Sequence, residues 1–145
     1  MNSSLPEQVV RTMLERDRFS AWLGISLEAI APGQVTVAMT VREEMVNGFG
    51  VAHGGIAYSL ADTALAFAAN TMGRVTVSIE NSISYPAPVR VGDRLSAAAV
   101  EESSGRRIAF YRVAVTNQDG SPVAHFRGTV YRTNEEYLGQ GTAAP

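Results

Sequence analysis

A single charged residue, Asp62, interrupts an otherwise uncharged run of twenty residues between Gly54 and Gly73. The run is rich in Ala, Leu, Ile and Phe, so it predicts a helix over about 53–72 that is buried on nearly all sides. A carboxylate in such a helix costs free energy to desolvate unless it is paired or used. Asp62 is therefore either a functional group or a buried acid that is satisfied by Ser59 or by a neighbouring strand.

Two glycines, Gly54 and Gly55, stand at the predicted start of this helix, directly after His53. The N–H groups of a first helical turn have no partner within the helix, and the helix dipole makes this end positive. Because glycine lets a substrate approach the backbone closely, these N–H groups could stabilise an oxyanion. The sequence leaves open the alternative that the pair only allows tight packing between loop and helix.

The spacing between the two candidate groups has a consequence for assembly. Gly54 and Asp62 are eight residues apart, which is roughly 12 Å along a straight helix. One substrate carbonyl cannot contact both groups of the same chain. If both serve one reaction, a second copy must supply one of them across a two-fold axis, so the catalytic interpretation predicts an active site at a dimer interface.

Composition narrows the class of protein. A chain of 145 residues is long enough for one domain with its own core. The net charge of −2 without a basic block argues against nucleic-acid binding, and the absence of cysteine removes disulfides and thiolate chemistry. Two isolated histidines make no metal cluster, and the polar residues of the 54–73 run argue against a membrane span. We expect a soluble, cytoplasmic protein without a metal, a nucleic-acid partner or a membrane partner.

The remaining sequence predicts one more helix and six strands. The helix is expected over about 6–22, and the strands over 25–30, 34–41, 75–85, 93–102, 107–116 and 123–132. In the third strand, alternation places Val75, Val77, Ile79, Ile83 and Tyr85 on one face and Thr76, Ser78, Glu80, Ser82 and Ser84 on the other. Residues 1–133 then form a single domain, followed by a flexible tail at 134–145.

This order of elements predicts an α+β fold. A curved antiparallel sheet of about six strands, wrapped around one long central helix, buries the apolar helix and satisfies the hairpin signals. This is a hot-dog-like arrangement. Because such a sheet leaves an edge or a face exposed, we expect the protein to be at least a dimer.

Three further polar residues are candidates for the site. Asn47 could orient water or polarise a carbonyl, although a turn residue before Gly48 is the simpler interpretation. His53 could cap the helix, hold the loop or bind substrate. Ser78 lies beside Glu80 and, without other information, is a solvated strand residue.

One pattern joins these residues in a fixed order. It comprises Asn47-Gly48-Phe49-Gly50-Val51-Ala52-His53-Gly54-Gly55, Ser59-Leu60-Ala61-Asp62-Thr63-Ala64, Ser84-Tyr85-Pro86-Ala87-Pro88, Gly92-Asp93 and Phe126-Arg127-Gly128-Thr129. The order N-x-x-G-x-x-H-G-G, with an Asp seven residues after the last Gly, resembles the signature of hot-dog acyl-CoA thioesterases of the PaaI (phenylacetate-degradation) type. The resemblance covers about 20–133.

The resemblance implies hydrolysis of an acyl-CoA to the free acid and CoA, without a cofactor. By resemblance, Asp62 is the nucleophile or the general base, and the Gly54 N–H polarises the thioester carbonyl. Asn47 positions the water or the thioester, His53 supports the loop and the thioester end, and Ser78 lies near the attacking water. The residues implied in substrate or CoA binding are Gly55, Thr63, Glu80, Tyr85, Pro86, Ala87, Pro88, Val89, Arg90, Ser103, Ser104, Gly105, Arg106 and Arg107. The implied assembly is a homodimer with a shared site, two of which form a tetramer.

The resemblance also suggests the acyl group and leaves two alternatives. Phenylacetyl-type, hydroxyphenylacetyl-type and medium-chain thioesters are the first candidates, with Phe49, Tyr58 and Phe67 as possible walls of an aromatic slot or as core residues. One alternative is a hot-dog dehydratase, which generally pairs a catalytic His with a carboxylate at another spacing. The other is a non-catalytic module that senses acyl-CoA.

Overall fold

The computed structural model describes residues 2–139 and shows a six-stranded antiparallel sheet with one long helix across it. The elements are α1 (Leu5–Arg16), α2 (Arg18–Leu23), β1 (Ser26–Ala31), β2 (Gln34–Thr40), a short 3₁₀ turn (Glu43–Met45), α3 (Gly54–Asn70), β3 (Arg74–Ser84), β4 (Arg94–Ser104), β5 (Ile108–Thr116) and β6 (Pro122–Glu136). The strand order is β1-β2-β4-β5-β6-β3, and α3 packs against β2 to β6. This is the α+β hot-dog fold that the sequence predicts.

The central helix is as buried as its composition indicates. Leu60, Ala61, Ala64 and Leu65 have no exposed surface, because the sheet covers them on one side and α1 packs on the helix as well. Within residues 2–139, no helix is both long and apolar enough to cross a membrane.

The end of α3 is tied to the start of β3 by one side chain. The Asn70 amide donates to the carbonyl oxygens of Ala66 and Thr76, at 2.7 and 2.9 Å, and its Oδ1 accepts from the Thr76 N–H at 2.9 Å. This connection fixes where β3 begins relative to the helix, and so fixes which β3 residues face Asp62.

The N-terminal helix was wrongly predicted as one element over 6–22. The chain forms two helices that meet at Asp17, because this residue ends α1 and caps α2. Its carboxylate accepts from the Ser20 N–H at 2.9 Å and from the Ser20 hydroxyl at 2.5 Å. An Asp at an N-cap satisfies an otherwise unpaired N–H group, which favours a new helix start at this point.

The predicted alternation of the third strand is also wrong. Thr76 is buried, whereas Val77 and Ile79 are 50% and 58% exposed. The register against β6 shifts between Ser78 and Glu80, so Ile79 is an extra residue on β3. Such a bulge reverses which alternate residues face the helix, and the amide of Asn81 is turned inward as a result.

The last strand is longer than predicted. It runs to Glu136 and therefore includes residues 134–136, which the sequence assigned to the tail. β4 likewise continues through Ser104, two residues beyond the predicted end at residue 102. Residues 140–145 of the predicted flexible tail lie outside the described residues.

Candidate active site

The start of α3 offers one unpaired N–H group. His53 caps the helix, since its Nδ1 accepts from the Gly55 N–H at 2.9 Å and its carbonyl oxygen accepts from Ile56 at 2.9 Å. Among residues 2–139, no group accepts a hydrogen bond from the Gly54 N–H. The Gly55 N–H is therefore occupied by His53, whereas the Gly54 N–H is free to donate to an oxyanion.

Tyr85 fixes the backbone at this helix start. Its hydroxyl donates to the Gly54 carbonyl oxygen at 2.9 Å, and burial raises the pKa of Tyr85, so the phenol remains protonated and able to donate. A Cβ added to Gly54 would lie 3.1 Å from the tyrosine oxygen. A larger residue at position 54 would therefore have to displace the Tyr85 ring by a few tenths of an ångström.

A small cavity of about 130 Å³ lies at this helix start. It is lined by Val51, Ala52, His53, Gly54, Ala57, Tyr85, Ala87, Pro88 and Val89, and we name it the helix-start cavity. Four of the predicted CoA-binding positions in the 85–90 segment line it. Pro86 and Arg90 of the same segment do not.

Asn47 has the turn role that the sequence favoured. Its Oδ1 accepts from the Phe49 N–H at 2.9 Å, and its own N–H donates to the Val51 carbonyl at 2.8 Å. The side-chain NH₂ has no acceptor among the described residues. Asn47 therefore shapes the loop before His53 and retains a free amide donor, although it does not line the helix-start cavity.

Asp62 is half-buried on the side of α3 that faces β3. Its Oδ1 accepts a hydrogen bond from Asn81 Nδ2 at 3.2 Å, so the neighbouring strand supplies the partner and Ser59 does not. Desolvation by burial raises the pKa of Asp62, and the hydrogen bond from Asn81 opposes this rise. A carboxylate with these properties is a stronger base than an exposed one.

A second cavity, of about 400 Å³, contains this carboxylate. It is lined by Met13, Asp62, Leu65, Ala66, Ala69, Asn70, Val75, Thr76, Val77, Ser78, Val130 and Tyr137, and we name it the Asp62 cavity. Ser78 lines the same cavity as Asp62, and its proposed place near the attacking water stays a prediction. The helix-start cavity and the Asp62 cavity share no lining residue, so one subunit holds the two halves of the predicted site apart.

The other predicted CoA-binding residues are scattered. Glu80 and Ser103 line a third cavity of about 520 Å³ with Phe110 and Arg127. Thr63 is 8% exposed and its hydroxyl lies 3.3 Å from that of Ser20, so the structure does not bring Thr63 to either half of the site.

The β4–β5 turn is organised by Arg132, which is not among the predicted site residues. Arg132 donates to the Gly105 carbonyl at 2.9 Å and to the Ser104 hydroxyl at 3.1 Å, and Arg107 donates to the Arg132 carbonyl at 3.2 Å. Arg106 is exposed and has no hydrogen bond or ion pair among the described residues. Its guanidinium is therefore available to an anionic ligand.

Of the two interpretations of Phe49, Tyr58 and Phe67, a shared slot is not formed within one subunit. Phe67 is 2% exposed in the core and Phe49 is 92% exposed, so neither lines the helix-start cavity or the Asp62 cavity. Tyr58 packs edge-on against Phe126, and its hydroxyl accepts from Asn81 at 3.1 Å. Nowhere in residues 2–139 do three or more His, Cys, Asp or Glu side chains gather as a metal-binding group.

Comparison with known proteins gives a consistent result. Residues 49–124 match the family model described as the thioesterase superfamily. The chain is 35% identical to the acyl-coenzyme A thioesterase PaaI of Escherichia coli over 133 residues, covering 92% of this chain and 95% of that protein. It is 36% identical to a putative esterase of Archaeoglobus fulgidus, covering 93% of this chain and 88% of that protein.

Solved structures agree with the sequence comparison. The E. coli PaaI protein from the phenylacetic acid degradation operon superimposes with a TM-score of 0.89, covering 91% of this chain and 96% of that one. A hypothetical thioesterase protein of Streptococcus pneumoniae, solved with coenzyme A, is 26% identical with a TM-score of 0.80, covering 86% of this chain and 98% of that one. The similarity therefore extends over nearly the whole fold.

Proposed function

The chain belongs to the thioesterase superfamily, and we propose that it hydrolyses acyl-CoA thioesters to the free acid and CoA in a site shared by two subunits. The observation that carries the proposal is the division of the site. A free oxyanion donor, the Gly54 N–H, lies at one cavity, while a partly desolvated carboxylate, Asp62, lies at another. Each cavity holds one of the two groups and lacks the other.

The two halves suit thioester chemistry. The Gly54 N–H would donate to the thioester carbonyl oxygen, where negative charge develops as the carbonyl carbon becomes tetrahedral. The Asp62 carboxylate would either take a proton from a water that attacks that carbon, or attack the carbon itself. In both cases the C–S bond breaks and the sulfur leaves as CoA thiolate or thiol; in the second case water then hydrolyses the mixed anhydride to the free acid and restores Asp62. Because a thioester is already activated, this reaction requires no cofactor.

The free edge of the sheet supports a dimer. Among residues 2–139, β3 pairs only with β6, so its other side is an unpaired edge within the described chain, and its Val77 and Ile79 are half or more exposed. Pairing of β3 with the same strand of a second copy would cover both residues and abolish the edge. Since β3 also forms a wall of the Asp62 cavity, this arrangement brings the partner to that cavity. The tetramer and the cytoplasmic location remain predictions from the sequence.

The substrate proposal draws on the relatives and on the charges at the site. E. coli PaaI is named as an acyl-CoA thioesterase and comes from a phenylacetic acid degradation operon, which favours phenylacetyl-type over medium-chain thioesters. We place CoA along the 85–90 and 103–107 segments. The exposed Arg106 guanidinium suits a CoA phosphate, and a relative solved with coenzyme A is consistent with this class of ligand.

The activity is tested by release of CoA. Wild-type protein is expected to release free thiol from phenylacetyl-CoA, hydroxyphenylacetyl-CoA and a straight-chain series, measured with a thiol-reactive dye, and to prefer the aryl esters in kcat/KM. A higher kcat/KM for all the straight-chain esters would contradict the proposed preference for phenylacetyl-type thioesters. If the protein binds the esters but hydrolyses none of them, it is an acyl-CoA-sensing module and not an enzyme.

The shared site is tested by mixing two inactive subunits. Asp62→Asn removes the carboxylate, and Gly54→Pro removes the N–H; a heterodimer of the two keeps one intact Asp62–Gly54 pair if each site spans both subunits. Co-expression with two different tags and tandem purification should therefore give about half the wild-type kcat per dimer. If both groups acted within one subunit, the heterodimer would be as inactive as its parents.

A further inference from the structure

The amide of Asn81 lies between Asp62 and Tyr58 on the inner side of the sheet. Its Nδ2 donates to Asp62 Oδ1 at 3.2 Å and to Tyr58 Oη at 3.1 Å, so both amide protons have acceptors. The Tyr58 ring is itself held by an edge-on contact with Phe126 at 5.3 Å between centroids. Tyr58 on α3 therefore holds the Asn81 amide that donates to Asp62, and Phe126 on β6 holds Tyr58.

Two features of the sheet make this reach possible. The bulge after Ser78 turns Asn81 inward, and its register partner on β6 is Gly128. A Cβ on Gly128 would lie 2.8 Å from Asn81 Oδ1 and 2.5 Å from Leu65 Cδ2. Because residue 128 has no side chain, the amide can lie over it and reach α3.

The arrangement has a cost. Asn81 Oδ1 is buried and, among the described residues, has no hydrogen-bond partner, although buried polar atoms are nearly always paired. Exchanging the amide N and O would place a carbonyl oxygen against the carboxylate and lose the donor to Asp62. The observed orientation therefore satisfies Asp62 and leaves the amide oxygen unpaired.

We propose that Asn81 is a positioning residue for Asp62, holding Oδ1 so that the other carboxylate oxygen faces the reacting thioester or water. This proposal rests on the proposed thioesterase function, which gives Asp62 its role. Among the described residues, Asp62 Oδ2 makes no hydrogen bond and is not fully buried. One oxygen is thus fixed and the other is available for the reaction.

The same hydrogen bond influences the charge on the carboxyl group. Burial raises the pKa of Asp62, and Asn81 is the residue that opposes the rise. The other titratable groups around the carboxylate are Tyr58 on its own helix and Tyr137 in the Asp62 cavity. Without Asn81, the ionised and reactive form of Asp62 should therefore be populated only at higher pH.

The test replaces Asn81 with a side chain of similar size that cannot donate. Asn81→Leu is expected to move the acid limb of the kcat/pH profile to higher pH and to lower kcat about tenfold on that limb, the scale of one hydrogen bond to a charged group, with a smaller change in KM. Asn134→Leu is the matched control, because Asn134 lies exposed on β6 and its side chain makes no hydrogen bond within residues 2–139. Its profile should follow that of the wild type.

Two further measurements keep the proposal testable if Asn81→Leu folds poorly or the protein turns over no thioester. Tyr58→Phe removes the hydroxyl that fixes the amide and should shift the limb in the same direction by less. Titration of the Asp62 carboxyl carbon by NMR, assigned with Asp62→Asn, should show a higher pKa in Asn81→Leu than in the wild type. Coincident titrations, or superimposable pH profiles, would overturn the role of Asn81. An inactive wild type with shifted titrations would instead overturn only the thioesterase proposal.

Discussion

Asp62→Asn is expected to lower kcat for acyl-CoA hydrolysis by a factor of about 10² to 10⁴, the range for a lost general base, with little change in KM. Asparagine has the shape of the carboxylate and can still accept the hydrogen bond from Asn81, so the surrounding packing should persist. It can neither take a proton from water nor attack the thioester. An interaction that serves only the transition state appears in kcat, while ground-state binding of the CoA ester is retained.

The control for this variant is the same change at an unrelated site. Asp119→Asn alters an exposed residue of the β5–β6 turn, where Asn is equally suitable, and should leave kcat unchanged. Both variants are compared with wild type by steady-state CoA release over a range of substrate concentrations. If Asp62→Asn kept more than about a tenth of the wild-type kcat, too much for a lost base, the carboxylate would not be the catalytic group.

Thermal unfolding separates loss of chemistry from loss of fold. Because burial raises the pKa of Asp62 in the folded state, the stability associated with its protonated form is lost as the pH rises through that pKa. The amide introduced by Asp62→Asn cannot ionise, so the Tm of this variant should exceed that of the wild type near neutral pH, and the difference should shrink on acidification. A lower Tm across the whole pH range would indicate damage to the core instead.

The overall architecture could be predicted because several independent features of the sequence indicate the same fold. The uncharged 54–73 run, the hairpin signals and the alternating strands all indicate the same antiparallel sheet around one helix, and Asp62 was identified because it breaks the pattern of that helix. The break at Asp17 was missed, since the charged residues 15–18 are equally compatible with the exposed face of one continuous helix. The extended backbone of Asp17 and the hydrogen bonds that it accepts from Ser20 divide the segment into two helices.

The environment of Asp62 could not be predicted for a different reason. In the sequence, Val75, Val77 and Ile79 suggest an inward apolar face, whereas on an unpaired edge strand Val77 and Ile79 are exposed. The inward direction of Asn81 depends on a bulge and on Gly128, which lies 47 positions further along the chain. Register between distant strands is a tertiary property, and local alternation does not encode it.

Gly54→Pro is expected to lower kcat by a factor of about 10² to 10³ relative to Gly54→Ala, the loss measured for one oxyanion donor. Residue 54 is the first helical position after the cap, where proline is well tolerated because no intrahelical bond uses that N–H. His53 has φ −58° and ψ 137°, an extended conformation that is compatible with a following proline. The substitution thus removes the proposed donor with little cost to the helix.

Gly54→Ala makes the comparison specific. Both variants add a Cβ that would lie 3.1 Å from the Tyr85 hydroxyl oxygen, so both should displace that ring to a similar extent. Only proline lacks the N–H, and the ratio of their kcat values therefore reports the hydrogen bond to the developing oxyanion. Equal losses would assign the effect to the Tyr85 contact and remove Gly54 from the catalytic groups. A large ratio, together with an active Asp62→Asn/Gly54→Pro heterodimer, would require the donor and the carboxylate to act on the same thioester from different subunits.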